Sequence, residues 1–380
     1  MKIIPDIPPV FVQPNPHLSN IVQHWGFFTK EEIEQAAKNG SLLILDIDFG
    51  RACPHRCPGC FRRNNPVDVT GASDLSYDEI LSVIDQAKKI GLQSVKICGA
   101  GEPFVDPDLL RFARDLTARD IGLAIFTKGY LFGDDKLAAI IFGPQIKSSL
   151  HLAEQLFALK TSVLLNYPSF NTELLGSLVG NRPKNYSEKL KRAAEVLAAA
   201  GFNKTLPTRL AFVHAPITKE SIHDAFEVYR FTRERNILPV LAFYMVSGKQ
   251  ITRAFLRRHD AALEEKVGLL RRTYEYNLQH GFNTSEQLIQ EGISCMPGIH
   301  PCNQIAAGLY LTANGNVIRC PGDYGKPLGN IRRENITEIW KRSRDWKFKG
   351  QFNVGCPFKE GITLPTDYQQ QIMKNLNIHQ

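Results

Sequence analysis

Three cysteines on one short stretch constrain this chain more than any other feature. Cys53, Cys57 and Cys60 follow the apolar run Leu42 to Phe49 with the spacing C-x3-C-x2-C. A strand that ends in this loop delivers three thiolates to one place. Three thiolates can hold three irons of a 4Fe-4S cube and leave the fourth iron free to bind a small molecule. The spacing therefore predicts a metal centre at which chemistry takes place.

Two other interpretations of these cysteines are weaker. A structural zinc site takes four protein ligands, usually as two pairs. Only His55 lies nearby in the sequence, and its place between Cys53 and Cys57 is poorly suited to sharing their metal. A disulfide is disfavoured because nothing in the sequence indicates secretion. The open iron site is therefore the leading interpretation.

A second motif follows the apolar run Ser94 to Cys98. It reads Gly99-Ala100-Gly101-Glu102-Pro103, in which small residues allow a ligand to approach the backbone. The two motifs together resemble the signatures of the radical S-adenosylmethionine (radical SAM) superfamily, whose Gly-Gly-Glu-Pro motif contacts SAM; Ala100 stands in place of the second glycine. The resemblance implies that the free iron binds the amino and carboxylate groups of SAM, and that this second motif contacts the amino group.

The resemblance implies four further SAM contacts. Thr127 opens a run similar to the Thr-Asn-Gly of the superfamily, and Asn166 stands where a polar side chain often lies near the ribose. Arg209 is expected to meet the SAM carboxylate, and Phe61 to replace the adenine-packing aromatic residue that many members carry at the position of Gly59. Polar residues at such positions also serve as partners for loops, so this alternative stays open. Cys98 is interpreted as an ordinary buried core cysteine.

Strand-like apolar runs alternate with helical patterns from Leu42 to Tyr244, which predicts a parallel sheet covered by helices. The predicted strands are Leu42 to Phe49, Ser94 to Cys98, Gly122 to Thr127, Ser162 to Asn166, Arg209 to Val213 and Leu238 to Tyr244. The fold class is α/β, and the resemblance implies a partial (β/α)6 barrel of the radical SAM type. Ligands of such sheets bind at the carboxyl ends of the strands.

The predicted organisation has four parts. Residues 1–40 form a lead-in with a short helix that has Thr29 as its N-cap, and residues 41–248 form the barrel. Residues 249–291 form a helical linker. Residues 292–380 form a smaller α+β domain that is rich in cysteine and glycine.

The C-terminal part contains a second cysteine pattern. Cys302 is followed by twelve residues, Gly315, four residues and Cys320, and Asn314-Gly315 is a strong hairpin signal that brings the two thiols together. This pattern, continued by Cys356, resembles the SPASM and twitch auxiliary-cluster domains. A complete SPASM domain has more cysteines and two clusters, so the resemblance implies one auxiliary 4Fe-4S cluster, as in a twitch domain.

Cys295 lies seven positions before this pattern, and geometry favours it as the fourth ligand, because a free thiol beside a cluster is a liability. A closed cluster transfers electrons, whereas a cluster without that ligand has an iron open to substrate. Four cysteines can also close a zinc site, and this alternative stays open.

The bulk composition indicates a soluble globular protein, with 43% hydrophobic and 22% charged residues. The N-terminus lacks the apolar region of a signal peptide, and no run approaches the roughly 20 apolar residues of a membrane span. A cytoplasmic location is expected. The net charge of +8 permits binding to nucleic acid, but no recognition module is apparent, so nucleic acid is not the favoured partner.

The resemblance implies an enzyme, formally an oxidoreductase, transferase or lyase. A low-potential donor of the flavodoxin or ferredoxin type supplies an electron, SAM is cleaved to a 5′-deoxyadenosyl radical, and the radical takes a hydrogen atom from the substrate. An auxiliary cluster then accepts the electron left behind, which completes an oxidation or bond formation.

The short lead-in favours a small molecule, such as a sugar, aminocyclitol or nucleoside, over a peptide. A peptide or protein maturase, an RNA-modifying enzyme and a non-catalytic metal- or SAM-binding protein are the alternatives.

Overall fold

The computed structural model describes residues 1–25, 28–60, 73–180, 184–246, 251–323, 326–343 and 356–378. Its first helix, α1 (Lys30–Asn39), begins after Thr29, as predicted. The Thr29 side chain accepts a hydrogen bond from the Glu32 backbone, and the Glu32 carboxylate accepts one from the Thr29 backbone. This reciprocal pair satisfies two backbone donors that the first turn would otherwise leave unpaired.

The predicted alternation of strands and helices is confirmed, with ends that differ by a few residues. The six strands are β1 (Ile44–Asp48), β2 (Ser94–Gly99), β3 (Gly122–Thr127), β4 (Thr161–Asn166), β5 (Leu210–Ile217) and β6 (Leu238–Phe243). The helices that follow or connect them are α2 (Tyr77–Lys88), α3 (Leu109–Ala118), α4 (Asp135–Phe142), α5 (Ser149–Ala158), α6 (Thr172–Leu178), α7 (Tyr186–Ala199) and α8 (Ile222–Arg233). Neighbouring strands from β1 to β6 pair in parallel, so this part of the chain is the predicted α/β partial barrel.

Beyond the barrel, the elements are α9 (Arg253–His259), α10 (Leu263–Gln279), α11 (Ser285–Glu291), α12 (Gln304–Ala307), β7 (Gly308–Leu311), β8 (Asn316–Ile318), β9 (Gly329–Asn330), α13 (Ile336–Arg342) and α14 (Tyr368–Asn375). The first three helices occupy the predicted linker. Strands β7 and β8 form the hairpin that Asn314-Gly315 predicts. In the described part of the chain, no helix is both long and apolar enough to cross a membrane.

The C-terminal segment continues the barrel sheet, which the sequence did not predict. Strand β7 pairs in parallel with β1, and the order of strands is β6-β5-β4-β3-β2-β1-β7-β8-β9. Leu309, Val317 and Trp340 share one hydrophobic cluster with Ile47 of β1 and Ile97 of β2. Position 292 is therefore not a boundary of the sheet or of the core.

Side chains alternate along the strands and so face two different environments. Leu45 and Ile47 pack in the main hydrophobic cluster on the helical side. Asp46 and Asp48 alternate with these two residues, so they face the interior of the barrel, where both are buried. Val22 and Ile299 pack against the inward-facing residues of β3 to β6, so the lead-in fills part of this interior.

Candidate metal centres

The predicted SAM and cluster residues meet at the carboxyl edge of the sheet. The cysteine loop follows β1, and the run Gly99 to Pro103 follows β2. Thr127 ends β3 and Asn166 ends β4. Because these strands are parallel neighbours, their carboxyl ends lie side by side.

The cysteine loop and the glycine loop are joined directly. The Glu102 N–H donates a hydrogen bond to the Ala52 carbonyl at 2.8 Å. A Cβ atom at Gly101 would lie 2.4 Å from that same carbonyl oxygen, which real Cβ atoms do not approach so closely. The close packing of the two loops therefore requires the absence of a side chain at this glycine.

The far side of the cysteine loop is also anchored. The Arg56 N–H donates to the Gly180 carbonyl at 2.7 Å, and the Arg56 guanidinium donates to the Cys53 carbonyl at 3.1 Å. The Cys60 N–H donates to the Cys57 carbonyl at 3.3 Å. These bonds hold the three cysteines on a defined backbone path.

The three thiols of this loop are free and half-buried. Burial raises the pKa of Cys53, and the Glu102 carboxylate and the other two thiols raise it further. In the described part of the chain, no three His, Cys, Asp or Glu side chains already converge on one metal ion. A 4Fe-4S cluster does not need such convergence, because each thiolate binds a different iron. The donor set therefore fits a cluster with one free iron.

The His55 ring packs among aromatic side chains. It is buried and makes edge contacts with Tyr130 and Tyr186, at centroid distances of 5.3 and 5.7 Å. Neither ring nitrogen has a hydrogen-bond partner among the described residues. Burial lowers the pKa of His55 to about 4, so the ring is neutral at pH 7. This packing favours a core role over the zinc interpretation.

The Glu102 carboxylate is hydrogen-bonded to the loop that follows β3. It is buried and accepts hydrogen bonds from the Thr127 hydroxyl and, at 2.7 Å, from the Lys128 N–H. Burial raises the pKa of Glu102, and the bonds from Thr127 and Lys128 oppose that shift. The Thr127 hydroxyl in turn accepts from the Gly129 N–H at 2.9 Å. The loops after β2 and β3 thus form one hydrogen-bonded unit.

Lys128 also lies at this edge, although the sequence did not predict it as a site residue. Its ammonium donates to the Asn166 side-chain oxygen at 2.7 Å, and the Asn166 amide donates to the Val213 carbonyl at 3.1 Å. These bonds bring a cation to the edge beside the cysteine loop. Its position as the middle residue of the Thr127-Lys128-Gly129 run was the available signal.

One of the predicted SAM contacts, Arg209, is not brought to this edge. Arg209 directly precedes β5 and so lies at the amino ends of the strands, where its guanidinium donates to the Gln23 side chain at 2.9 Å and to the Phe157 carbonyl at 2.7 Å. The interpretation of Arg209 as a SAM contact is therefore wrong. Phe61 lies outside the described residues.

The four C-terminal cysteines line one cavity, together with Pro301, Phe358 and Tyr368; they are Cys295, Cys302, Cys320 and Cys356. Three structural elements bring the cysteines together: the loops that follow α11 and β8, and the turn that begins at Cys356. Burial raises the pKa of Cys320, and the nearby thiols of Cys356 and Cys302 raise it further. Four thiols around one cavity fit a 4Fe-4S cluster in which each iron has a cysteine ligand.

Cys295 contacts Cys356 within this cavity. A hydrogen bond between the two thiols lowers the pKa of Cys356 and raises that of Cys295. The charge of Lys359 also favours thiolates at both positions. This contact supports Cys295 as the fourth ligand. The remaining cysteine, Cys98, packs against Tyr310 and Ile318, in agreement with a core role.

Two family models match the chain at these two sites. The model of the radical SAM superfamily matches residues 47–232, and that of the SPASM iron-sulfur cluster-binding domain matches residues 302–357. The chain belongs to the radical SAM superfamily and is an enzyme. Membership implies a 4Fe-4S cluster and SAM as cofactors, and the SPASM match implies an additional iron-sulfur cluster.

One curated relative matches a short part of the chain. The tungsten-containing aldehyde ferredoxin oxidoreductase cofactor-modifying protein of Pyrococcus furiosus is 33% identical over 97 residues, which are 25% of this chain. The chain thus matches only 26% of that relative's length.

Solved structures share the fold at low sequence identity. SuiB of Streptococcus suis, bound to its precursor peptide SuiA, has a TM-score of 0.53 and 19% identity over 80% of this chain and 66% of SuiB. The structure of anSMEcpe with bound AdoMet has a TM-score of 0.57 and 15% identity over 88% of this chain and 91% of that protein. Both similarities support the radical SAM fold.

Proposed function

We propose that Cys53, Cys57 and Cys60 hold a SAM-binding 4Fe-4S cluster. The observation that carries this proposal is the direct bond between the cysteine loop and the glycine loop, from the Glu102 N–H to the Ala52 carbonyl. The bond sets the three thiols beside the predicted SAM-binding motif. Cys295, Cys302, Cys320 and Cys356 hold the auxiliary cluster in this proposal, because all four line one cavity.

Cys53, Cys57 and Cys60 would hold the cluster, and the cluster with bound SAM would supply a one-electron cleavage of SAM and, through it, hydrogen-atom abstraction from the substrate. The protein positions these groups and excludes water. Tyr130 and Tyr186 are buried next to the cysteine loop through their contacts with His55. The auxiliary cysteines hold the acceptor for the electron that remains on the substrate. A flavodoxin- or ferredoxin-type protein is the proposed donor.

A peptide or protein is the substrate class that a specific similarity favours. SuiB, which shares the fold, was solved with a precursor peptide. The small-molecule substrate predicted from the sequence is the second candidate, and RNA is the third. The three classes differ in size and in sensitivity to protease and ribonuclease, so one experiment separates them.

The experiment measures 5′-deoxyadenosine after anaerobic reconstitution, with dithionite as the reductant. We expect wild type to form it and Cys57→Ala to form none; equal formation in both would contradict the assignment of the first site. Cell extract is then separated by size, and each fraction is tested for stimulation of 5′-deoxyadenosine formation. Stimulation by the larger fraction that protease abolishes supports a peptide. Stimulation by the small fraction would overturn the peptide proposal in favour of a small molecule. Loss of the stimulation after ribonuclease treatment would overturn it in favour of RNA.

A further inference from the structure

Asp48 is hydrogen-bonded to elements of both candidate metal sites. It is the last residue of β1, five positions before Cys53, and only 3% of its surface is exposed. It faces the barrel interior rather than the helices. A buried carboxylate is costly unless its oxygens accept hydrogen bonds, so its partners determine what it does.

One carboxylate oxygen contacts the SAM side. Asp48 Oδ1 accepts a hydrogen bond from the Ala100 N–H at 2.9 Å. Ala100 belongs to the glycine loop, two positions before Glu102. The carboxylate therefore holds the backbone at the start of the predicted SAM-binding motif.

The same carboxylate contacts the auxiliary side. Oδ1 also accepts a hydrogen bond from the Tyr310 hydroxyl, and Oδ2 accepts one from the Ala313 N–H at 3.1 Å. Tyr310 lies on β7, and Ala313 lies in the turn between β7 and β8. Strand β8 ends at Ile318, two positions before Cys320. The hairpin that carries an auxiliary ligand is thus bonded to Asp48.

We propose that Asp48 is a positioning residue that couples the SAM-binding loop to the auxiliary-cluster hairpin. The inference rests on the proposed function of the two sites. Its physical basis is that one rigid carboxylate binds both elements. Charge-assisted hydrogen bonds are stronger than neutral ones, and they are strengthened further in a buried setting. A displacement of the hairpin therefore moves the carboxylate, and with it the Ala100 N–H.

Coupling of this kind is reciprocal. If the state of the hairpin changes the affinity for SAM, SAM binding must change the environment of the hairpin by the same free energy. The proposal therefore makes two measurable claims. A change confined to the hairpin weakens SAM binding, and SAM binding alters the spectrum of the auxiliary cluster.

The test uses Tyr310→Phe, which removes one donor to Asp48 from the auxiliary side and leaves the glycine loop intact. Tyr167→Phe is the matched control, because Tyr167 is equally buried and donates its hydroxyl hydrogen bond to the Ile3 carbonyl, away from Asp48. Asp48→Asn is the second variant, since an amide cannot accept hydrogen bonds on both of its ends. SAM binding to each reconstituted protein is measured without reductant, and the reduced auxiliary cluster is followed by electron paramagnetic resonance.

We expect Tyr310→Phe to weaken SAM binding by about fivefold and Tyr167→Phe to leave it unchanged. Wild type shows a SAM-dependent change in the auxiliary spectrum that Tyr310→Phe and Asp48→Asn reduce. Wild-type SAM affinity in folded, iron-replete Tyr310→Phe would overturn the coupling. Absence of SAM binding to reconstituted wild type would instead contradict the proposed function, so the two failures are distinguishable.

Discussion

The backbone of Gly101 lies against the carbonyl of Ala52, so close that a Cβ atom on the glycine would stand 2.4 Å from the carbonyl oxygen. This contact joins the loop after β2 to the loop after β1. The loop after β2 carries the predicted SAM-binding motif, and the loop after β1 carries the three cysteines. The geometry of the site therefore depends on a residue without a side chain.

Gly101→Ala is predicted to separate the two loops. The obstructing atoms belong to the backbone of Arg51 and Ala52, which cannot rotate away as a side chain can. Overpacking of this kind costs about 1 to 3 kcal/mol. We expect SAM binding to be weaker by about fivefold or more and the iron content to be lower, both measured on the reconstituted protein.

Gly268→Ala is the control for that variant. Gly268 lies inside α10, and a Cβ atom there would meet nothing within 4 Å. Alanine favours a helix over glycine, so we expect unchanged SAM binding and a gain of about 0.5 to 1 kcal/mol in unfolding free energy. Equal effects of the two substitutions on SAM binding would contradict the role given to Gly101.

The ion pair between Lys96 and Asp46 is predicted to be sensitive to removal of one partner. The two charged groups lie 3.0 Å apart in the barrel interior, and Lys96 also donates to the Gln304 side chain at 3.0 Å. Lys96→Met leaves a buried carboxylate without its counter-ion, which costs about 3 to 5 kcal/mol. Urea unfolding of the apoprotein measures this loss.

The exposed pair between Arg192 and Asp135 provides the comparison. Arg192→Met is expected to cost about 1 kcal/mol or less, because exposed ion pairs contribute little. A similar loss of unfolding free energy in Lys96→Met and Arg192→Met would show that burial does not determine the cost of removing one partner of an ion pair.

Stability is predicted to fall as the pH is lowered from about 7 to about 4. Burial lowers the pKa of His214 to about 3, and its ring bonds the Ser221 hydroxyl at 2.8 Å. A histidine with a depressed pKa stays neutral in the folded protein, while the unfolded chain gains a proton below about pH 6.5. This difference removes about 2 kcal/mol of unfolding free energy by pH 5.

The measurement is urea unfolding of wild type and His214→Gln at pH 7 and pH 5. The glutamine does not titrate, so the variant is expected to lose about 2 kcal/mol less than wild type over this interval, whatever its stability at pH 7. The same loss of unfolding free energy in both proteins would contradict the lowered pKa of His214 as its cause.

Cys356→Ala is predicted to separate SAM cleavage from completion of the reaction. Cys356 lines the auxiliary cavity, and the cysteine loop of the first site is built from a different part of the chain. We expect 5′-deoxyadenosine to form in the variant, while the oxidised product falls by about tenfold or more, as is typical when an essential group is removed. Unchanged product would exclude the auxiliary site from the reaction.

The local features of this fold could be predicted from the sequence. Alternating apolar patterns predicted all six strands of the barrel, and Asn314-Gly315 predicted the hairpin, because both signals are short in range. Asp46 and Asp48 also form a recognisable pattern, because the two acids alternate with apolar residues in a strand that is fully buried. Polar residues at every second position predict one face that differs from the other.

The long-range features could not be predicted in the same way. The pairing of β7 with β1 joins segments more than 250 residues apart, and no local pattern encodes it. Arg209 was misplaced because a residue that opens a parallel strand lies at the edge opposite to the ligand site. The contact of Cys295 with Cys356 arises from the packing of separate loops, which spacing alone does not fix.

The count of iron and sulfide per chain tests the two-cluster account most directly. Wild type, a Cys53/Cys57/Cys60-to-Ala variant and a Cys295/Cys302/Cys320/Cys356-to-Ala variant are reconstituted anaerobically, with Cys98→Ala as the control. We predict about eight irons in wild type and in the control, and about four in each of the other two. About four irons in wild type and none after loss of the first three cysteines, with zinc or no metal at the C-terminal site, would contradict the account.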